Sequence, residues 1–328
     1  MRATSAGEPI NDRTGLRAGH GTGAADLTTV LAGMPLPNPV LAAAGCIGAG
    51  PEIARFTDLA EFGAVVTRSV TEFSSAGLPT PRLAETPGGL LNALGLPGVG
   101  MDAFLAVELP WLLSHDVTPI VSIVADTVAE FGRLAGRLRQ VPGVAGIEVN
   151  LSSPVHGVGV LPFATDASGS AAVIHAVRRN SGAAIPIFAK LSGDIADTVA
   201  VARACLDAGA TGLSLINAIR GLDVDTGTRK VALGSHVGGL SGPAIRPVAL
   251  RTVWEVRAGL GEVPIIASGG ISDGASALAM IMAGATTVAL GTVLLHDPRA
   301  GHRIIIQLSE LIQQQGLLPA ELVGIAHA

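Results

Sequence analysis

The 328-residue sequence predicts an α/β fold, a (β/α)8 TIM barrel in which eight parallel strands form a closed ring inside a shell of helices. Three observations lead to this prediction. Eight short segments are almost continuously apolar, as strands covered on both faces are. Segments with apolar residues at helical spacing lie between them. Small polar residues or glycines follow the apolar segments, at the ends of the strands where such barrels place their active sites.

The strand candidates are residues 40–43, 64–67, 119–123, 146–151, 186–191, 212–216, 264–267 and 286–290. They are short and rich in Val, Ile and Leu, which suits strands buried on both faces. Residues 128–138, 199–206 and 248–256 are helix candidates, with apolar residues along one face and charges along the other. A doubly wound open sheet is the alternative, but such a sheet usually has fewer strands.

The first 27 residues are rich in Gly, Ala, Thr and Arg and contain no apolar segment like that of a signal peptide. We therefore expect residues 1–27 to form a flexible tail and residues 28–328 to form a single domain. No window reaches the roughly 18 consecutive apolar residues that a membrane helix needs, so no association with a membrane is expected.

The composition favours a small-molecule partner. The chain has 21 basic and 26 acidic residues, a net charge of −5, which argues against binding to nucleic acid or to an anionic membrane surface. Its two cysteines, Cys46 and Cys205, are far apart, so the sequence suggests neither a disulfide framework nor a metal site. This cysteine usage is typical of the reducing cytoplasm.

Three long segments interrupt the alternation of strands and helices and predict insertions at the C-terminal face of the barrel. Residues 71–100 contain proline-rich turns and a Gly-Gly pair, and are expected to form a hairpin or lid. Residues 155–168 are glycine-rich and are expected to form a mobile flap over the site. Residues 220–246 contain several charges followed by a glycine-rich stretch.

The candidate site residues follow the strands in order: Ala43, Ala44, Gly45 and Cys46; Arg68 and Ser69; Asn150 and Ser153; Lys190; Asn217; Gly269 and Gly270; Gly291 and Thr292. Glycine turns after strands seven and eight commonly hold a phosphate through backbone N–H groups, so a phosphorylated ligand is expected. An unpaired ammonium is expensive to bury, so we interpret Lys190 as the partner of an anionic ring atom.

Simpler interpretations of the same residues remain open at this point. The Gly-Gly pair could be a plain turn, the asparagines could be ordinary turn formers, and Lys190 could belong to a structural ion pair. Cys46 is better explained as a small packed residue than as a nucleophile. His156 could be a base, but a surface position on the flap is favoured.

Seven segments together resemble the dihydroorotate dehydrogenase family, most closely its soluble class 1 members. They are residues 62–71, 80–87, 91–96, 148–152, 189–192, 215–217 and 238–245, and they occur in the family's order. The resemblance covers residues 31–295. It implies an FMN-binding barrel that oxidises dihydroorotate to orotate in pyrimidine biosynthesis, with the substrate lying against the flavin.

The resemblance also implies roles for single residues. Lys190 would lie near N1 of the flavin and stabilise the reduced ring, and Ser153 would take a proton from the substrate while hydride passes to flavin N5. The implied cofactor-binding residues are Ala43, Ala44, Gly45, Ser69, Asn150, Lys190, Ile216, Gly242, Gly269, Gly270, Gly291 and Thr292. The implied substrate-binding residues are Arg68, Asn92, Asn150 and Asn217.

Four positions depart from the family pattern. Ser153 stands where soluble class 1 members usually have a cysteine, and Val155 where they have an asparagine. Arg68 replaces an expected lysine, and Pro97 stands where a further substrate-binding asparagine often occurs. A lost hydrogen-bond partner costs about 1–3 kcal/mol in a dry pocket. Two alternatives therefore stay open: a related flavoenzyme acting on another cyclic amide or specialised metabolite, and a flavin-binding barrel that serves only as a partner subunit.

The resemblance implies partners as well. Relatives pass electrons to fumarate, or to a second subunit that carries FAD and an iron–sulphur cluster and reduces NAD. Such a cluster would belong to the partner, because this chain lacks the cysteines for it. Relatives are commonly dimers, so a homodimer is expected.

Overall fold

The computed structural model of the protein describes residues 25–152 and 163–328. Eight parallel strands close into a barrel and follow each other around the ring in chain order. They are β1 (Val40–Ala42), β2 (Ala64–Val66), β3 (Pro119–Ile123), β4 (Gly146–Asn150), β5 (Ile187–Ser192), β6 (Gly212–Asn217), β7 (Ile265–Ser268) and β8 (Thr287–Leu290). The predicted (β/α)8 barrel is thus confirmed, and each strand bound differs by no more than about one residue from the prediction.

Helices surround the barrel. In chain order they are α1 (Pro51–Ala54), α2 (Met101–Ala103), α3 (Leu109–Ser114), α4 (Val128–Leu138), α5 (Ala167–Ser181), α6 (Thr198–Asp207), α7 (Arg246–Leu260), α8 (Gly274–Met282), α9 (Thr292–His296), α10 (Ala300–Gln315) and α11 (Pro319–Leu322). A π-helical turn, Phe104–Glu108, connects α2 to α3, and short 3-10 turns span Leu59–Glu61, Phe163–Thr165, Pro243–Ile245 and Ile325–His327.

Local sequence signals explain where the predicted helices begin and which face they bury. Thr127 accepts a hydrogen bond from the Glu130 backbone, and the Glu130 side chain accepts one from the Thr127 backbone, so a capping box begins α4. Phe131, Leu134 and Leu138 then recur at helical spacing and are fully buried. The helices predicted over 128–138, 199–206 and 248–256 are all confirmed.

The barrel interior is divided into an apolar half and a polar half. Leu41, Ile120, Phe188 and Ile266 form an apolar cluster near the start of the strands. Leu31 and Leu36, from a hairpin with strands Thr29–Leu31 and Met34–Leu36, join this cluster and close that end. The polar side chains lie further along the strands, toward their carboxyl ends. They are Ser122, Glu148, Lys190, Ser214 and Ser268, and all five are buried.

Residues 25–27, the last residues of the predicted tail, make contacts with the barrel. The backbone N–H of Ala25 donates to Ser309 Oγ at 3.1 Å, and the side chain of Leu27 is buried in the core. Residues 25–27 therefore pack on the barrel, because Leu27 removes apolar surface from water. The rest of the predicted tail, residues 1–24, lies outside the described residues. The assignment of residues 28–328 to one domain stays a prediction.

A small antiparallel sheet covers the site end of the barrel, and we call it the lid sheet. It contains the hairpin Leu83–Thr86 and Gly89–Asn92, which confirms the hairpin predicted in residues 71–100. Gly238–Ser241 pairs with the hairpin, and Ile219–Gly221 pairs with Gly238–Ser241. A further hairpin joins Val224–Asp225 to Lys230–Val231. Two segments that were separate interruptions in the sequence are therefore one structural unit.

The predicted flap falls mainly on residues 155–162, which lie outside the described residues. Its last residues form the turn Phe163–Thr165 and the start of α5. Within the described ranges, none of the helices combines the length and the apolar character needed to cross a membrane.

Candidate active site

Lys190 lies at the carboxyl end of β5, on the face that points into the barrel. It is two residues beyond Phe188, so both side chains project to the same side of the strand. Only 7% of Lys190 is exposed. Its Nζ donates to Ser214 Oγ at 3.2 Å and to Ser268 Oγ at 2.9 Å. An ammonium has three N–H donors, so one has no partner among the described residues.

Glu148 is the negative charge that accompanies Lys190 in the barrel. Its Oε1 accepts from Ser122 Oγ at 3.0 Å, and its Oε2 accepts from Ser214 Oγ at 2.8 Å. Ser214 therefore connects the ammonium to the carboxylate. Burial lowers the pKa of Lys190, while the charge of Glu148 opposes that shift.

A second polar chain connects the ends of β4 and β6. Asn217 Nδ2 donates to Ser152 Oγ at 2.7 Å, and Ser152 Oγ donates to Asn150 Oδ1 at 3.0 Å. Asn150 Nδ2 donates to Ser69 Oγ at 3.0 Å, and Ser69 lies 2.9 Å from Ser122 Oγ. The structure therefore brings three predicted site residues, Ser69, Asn150 and Asn217, into one network with Glu148.

Asn92 reaches the site from the lid sheet. Its Nδ2 donates to the carbonyl oxygen of Gly239 at 3.1 Å, across the pairing of the two strands. Gly239 packs closely on Ala218, since a Cβ at Gly239 would lie 2.8 Å from that of Ala218. Asn92 thereby lies next to the end of β6. Its side-chain oxygen, Oδ1, has no hydrogen-bond donor among the described residues.

The predicted phosphate-binding glycines converge at one corner of the site. Gly242, Gly269 and Gly270 have positive φ angles of 97°, 123° and 72°. A Cβ on Gly270 would lie 2.8 Å from the backbone N of Arg246, and one on Gly242 would lie 3.7 Å from the Thr292 side chain. The turns after β7 and β8 therefore meet the segment that precedes α7.

Ile216 and Gly291 border the same corner. A Cβ on Gly269 would be 3.5 Å from Ile216 Cγ1, and Ser268 Oγ donates to the Ile216 carbonyl oxygen at 2.7 Å. Gly291 immediately precedes α9, and a Cβ there would lie 3.8 Å from Cys46 Sγ. Backbone N–H groups in such turns can surround an anion without a side chain in the way.

The segment after β1 provides a small-residue surface beside Lys190. The backbone N–H of Ala43 donates to Leu290 O at 2.9 Å, and Ala44 and the positive-φ residue Gly45 follow it. Burial raises the pKa of the Cys46 thiol to about 11, and the charge of Lys190 opposes that rise. A protonated thiol is a poor nucleophile, which agrees with the interpretation of Cys46 as a packed residue.

Arg68 contacts another position that departs from the family pattern. Its guanidinium donates to the Pro97 carbonyl oxygen at 3.3 Å. Burial raises the pKa of the nearby Glu108 carboxyl, and the charge of Arg68 opposes this rise. The Arg68 side chain is thus restrained by the segment that carries Pro97.

The sequence interpretation did not assign roles to Ser122, Glu148, Ser152 or Ser214. Glu148 could have been found, because it is two residues before Asn150 in a buried strand and must therefore face the barrel interior with it. A carboxylate in such a place needs hydrogen-bond donors. Ser153, the predicted base, lies outside the described residues.

Comparison with known proteins identifies the family. The family model described as dihydroorotate dehydrogenase matches residues 26–312. The chain belongs to the dihydroorotate dehydrogenase family. It is 45% identical over 298 residues to the dihydroorotate dehydrogenase B (NAD(+)) catalytic subunit of Desulforudis audaxviator, covering 90% of this chain and 96% of the relative. The subunit of the same name from Geotalea daltonii is 43% identical over 300 residues, covering 91% and 97%.

Enzymes of the dihydroorotate dehydrogenase family are FMN-dependent oxidoreductases that act on a CH–CH bond. The described residues fit FMN in two ways. The converging glycine turns can hold a phosphate through backbone N–H groups, and Lys190 retains an N–H donor in a buried position beside them.

Proposed function

We propose that this chain oxidises dihydroorotate to orotate with FMN as its cofactor, as a catalytic subunit in pyrimidine biosynthesis. The observation that carries the proposal is the buried ammonium of Lys190, which has one donor left for a ligand and lies beside a cluster of positive-φ glycines. In a chain of this family, that combination suits a phosphorylated ring that becomes negatively charged when it is reduced.

The residues around the glycine corner would hold the cofactor. Gly242, Gly269, Gly270, Gly291 and Thr292 would hold the phosphate. The flavin ring would be lined by Ala43, Ala44, Gly45, Ser69 and Ile216, and it would supply the hydride acceptor. Lys190 would place positive charge beside the ring, and its hydrogen bonds to Ser214 and Ser268 would hold its Nζ in position.

Three asparagines and one arginine would hold the substrate. Asn92, Asn150 and Asn217 provide amide donors and acceptors for a cyclic amide, and their positions are limited by hydrogen bonds to the protein. Arg68 would provide a positive charge for the substrate. Ser153 would take the proton from the ring carbon, a role that rests on its position in the family motif.

Electrons would leave through a second subunit. The curated relatives are called catalytic subunits of NAD(+)-linked enzymes, which supports an electron-transfer partner for this chain. We propose that the partner carries FAD and an iron–sulphur cluster and that the catalytic chain forms a homodimer in the cytoplasm. Copurification of the chain with its partner, followed by spectroscopy of the complex, tests for the partner and for its FAD and iron–sulphur cluster.

The substrate is tested with the purified chain under anaerobic conditions. We expect yellow protein that loses its flavin absorbance when dihydroorotate is added. Yellow protein that keeps its colour would reject dihydroorotate as the substrate. It would favour a flavoenzyme for another cyclic amide, with a substrate site changed by Arg68 and Pro97. Colourless protein that cannot be reconstituted with FMN would reject both.

A further inference from the structure

Two chains of hydrogen bonds in the polar half of the barrel end at the carboxylate of Glu148, one through Ser214 and one through Ser122. Only 2% of Glu148 is exposed. An ionised carboxylate accepts hydrogen bonds and donates none. Ser122 and Ser214, its two partners, must therefore both donate to it.

The first chain of hydrogen bonds leads from Glu148 to Lys190. Ser214 has a single hydroxyl proton, and it is directed at Glu148, so Ser214 can only accept from Lys190. Ser268 can likewise only accept from Lys190, because its own proton is directed at the Ile216 carbonyl oxygen. These two accepting hydroxyls, together with the charge of Glu148, favour the ammonium form of Lys190 and oppose the effect of burial.

The second chain leads from Glu148 to the asparagines. The proton of Ser122 is directed at Glu148, so Ser69 must donate to Ser122 and accept from Asn150 Nδ2. The amide of Asn150 is then oriented with Oδ1 toward Ser152, which donates to it. Ser152 in turn accepts from Asn217 Nδ2, and the donor direction is fixed along the whole chain.

We infer that Glu148 is a positioning residue that sets the donor direction of both chains at once, and so presents Lys190 as a cation and Asn150 and Asn217 with fixed amide orientations. The inference rests on the proposed function for the identity of the ligands. It predicts that the two chains can be disrupted separately, because among the described residues they meet only at the two oxygens of Glu148.

Two alanine substitutions separate the chains, and each removes only a hydroxyl. Ser214→Ala breaks the connection to Lys190, and Ser122→Ala breaks the connection to Asn150. Glu148→Gln affects both, because a glutamine oxygen can accept while its NH₂ group can only donate. The circular dichroism spectrum and thermal unfolding of each holoenzyme show whether the variant is folded.

The first measurement follows the charge of the reduced flavin, whose absorbance is titrated with pH in the anaerobic holoenzyme. The titratable groups that interact with Lys190 are Glu148 and the Cys46 thiol, and all three variants leave Cys46 in place. We expect Ser214→Ala to raise the pKa of the reduced ring by about one unit, a tenfold change in its ionisation. We expect Ser122→Ala to leave this pKa unchanged.

The second measurement follows orotate binding to the oxidised holoenzyme by its effect on flavin absorbance. We expect Ser122→Ala to weaken binding by about fivefold to tenfold, as the loss of one orienting hydrogen bond would. Ser214→Ala should leave the orotate Kd within about twofold of the wild type, and Glu148→Gln should change both readouts.

The outcomes distinguish this inference from the proposed function. If the wild-type protein is bleached by dihydroorotate but the two serine variants change both readouts together, or neither, the inference is rejected and the function stands. A folded Glu148→Gln variant with wild-type values in both measurements would also reject it. If the wild-type protein binds FMN but not orotate, the proposed substrate is rejected, and the flavin titration still tests the Lys190 chain.

Discussion

Substitution of Gly270 by alanine should destabilise the protein and weaken FMN binding. Gly270 follows β7 with a φ of +72°. A Cβ at this position would lie 2.6 Å from the Cβ of Arg246, 2.8 Å from its backbone N and 2.9 Å from its Cα. The atoms that it meets belong to the first turn of α7, so they cannot move away as the end of a flexible side chain could.

Two terms set the expected loss of stability. Left-handed backbone costs a residue with a Cβ about 1–2 kcal/mol relative to glycine. The overlap with the backbone of Arg246 adds about 1–3 kcal/mol, the usual range for overpacking. Gly316 provides the control, since it has left-handed backbone with a φ of +67° and no atom within 4 Å of the position of its Cβ. Gly316→Ala should therefore show the first term alone.

Urea unfolding of both apoproteins measures these terms, and titration with FMN measures the consequence for the cofactor. Gly270→Ala should lose about 1–3 kcal/mol more than Gly316→Ala. Its FMN affinity should fall about 10-fold to 100-fold, because a displaced N–H loses a charge-assisted hydrogen bond. Gly316→Ala should keep wild-type affinity. Equal destabilisation of the two variants, or normal FMN binding by Gly270→Ala, would refute this reasoning.

Three further predictions concern other parts of the chain. Ser153→Ala should slow anaerobic flavin reduction by about 10²–10⁴-fold in stopped-flow measurements while FMN stays bound; unchanged kinetics would reject Ser153 as the base. Asp273 caps α8, and the backbone N–H of Ser276 holds its pKa below the ordinary 3.8, so Asp273→Ala should cost about 0.5–2 kcal/mol at neutral pH. That difference should shrink as the pH falls through the lowered pKa, and a constant difference in acid would contradict it. Burial raises the thiol pKa of Cys46 to about 11 and that of Cys205 to about 12, so native protein at pH 8 should resist alkylation until urea unfolds it; rapid labelling detected by mass spectrometry would contradict this.

Elements whose signal lies within a short stretch of the chain could be predicted from the sequence. Strands that are covered on both faces are almost continuously apolar, which made the barrel strands recognisable and placed their bounds closely. The hairpin over residues 83–92 was predictable for a similar reason, because its proline-rich and glycine-rich turns are local. Lys190 was identified as a candidate site residue because burying an ammonium in an apolar strand costs free energy unless the ammonium has a partner.

Other features depend on which residues lie beside each other in space. The lid sheet pairs Leu91 with Leu240, and no local pattern indicates that two glycine-rich segments so far apart in the sequence share one sheet. Residues 25–27 were predicted as part of the tail, but Leu27 is buried in the core, a contact that depends on the packed structure.

The sequence by itself determined the fold class, the family motifs and the types of residue at the end of each strand. The tertiary structure alone decided that Glu148 joins Lys190 to Asn150. The physical reason is register: Ser122 lies beside Glu148, and Ser214 beside Lys190, through hydrogen bonds between neighbouring strands. Closure of the ring fixes that alignment, and the spacing of residues within one strand contains no information about it.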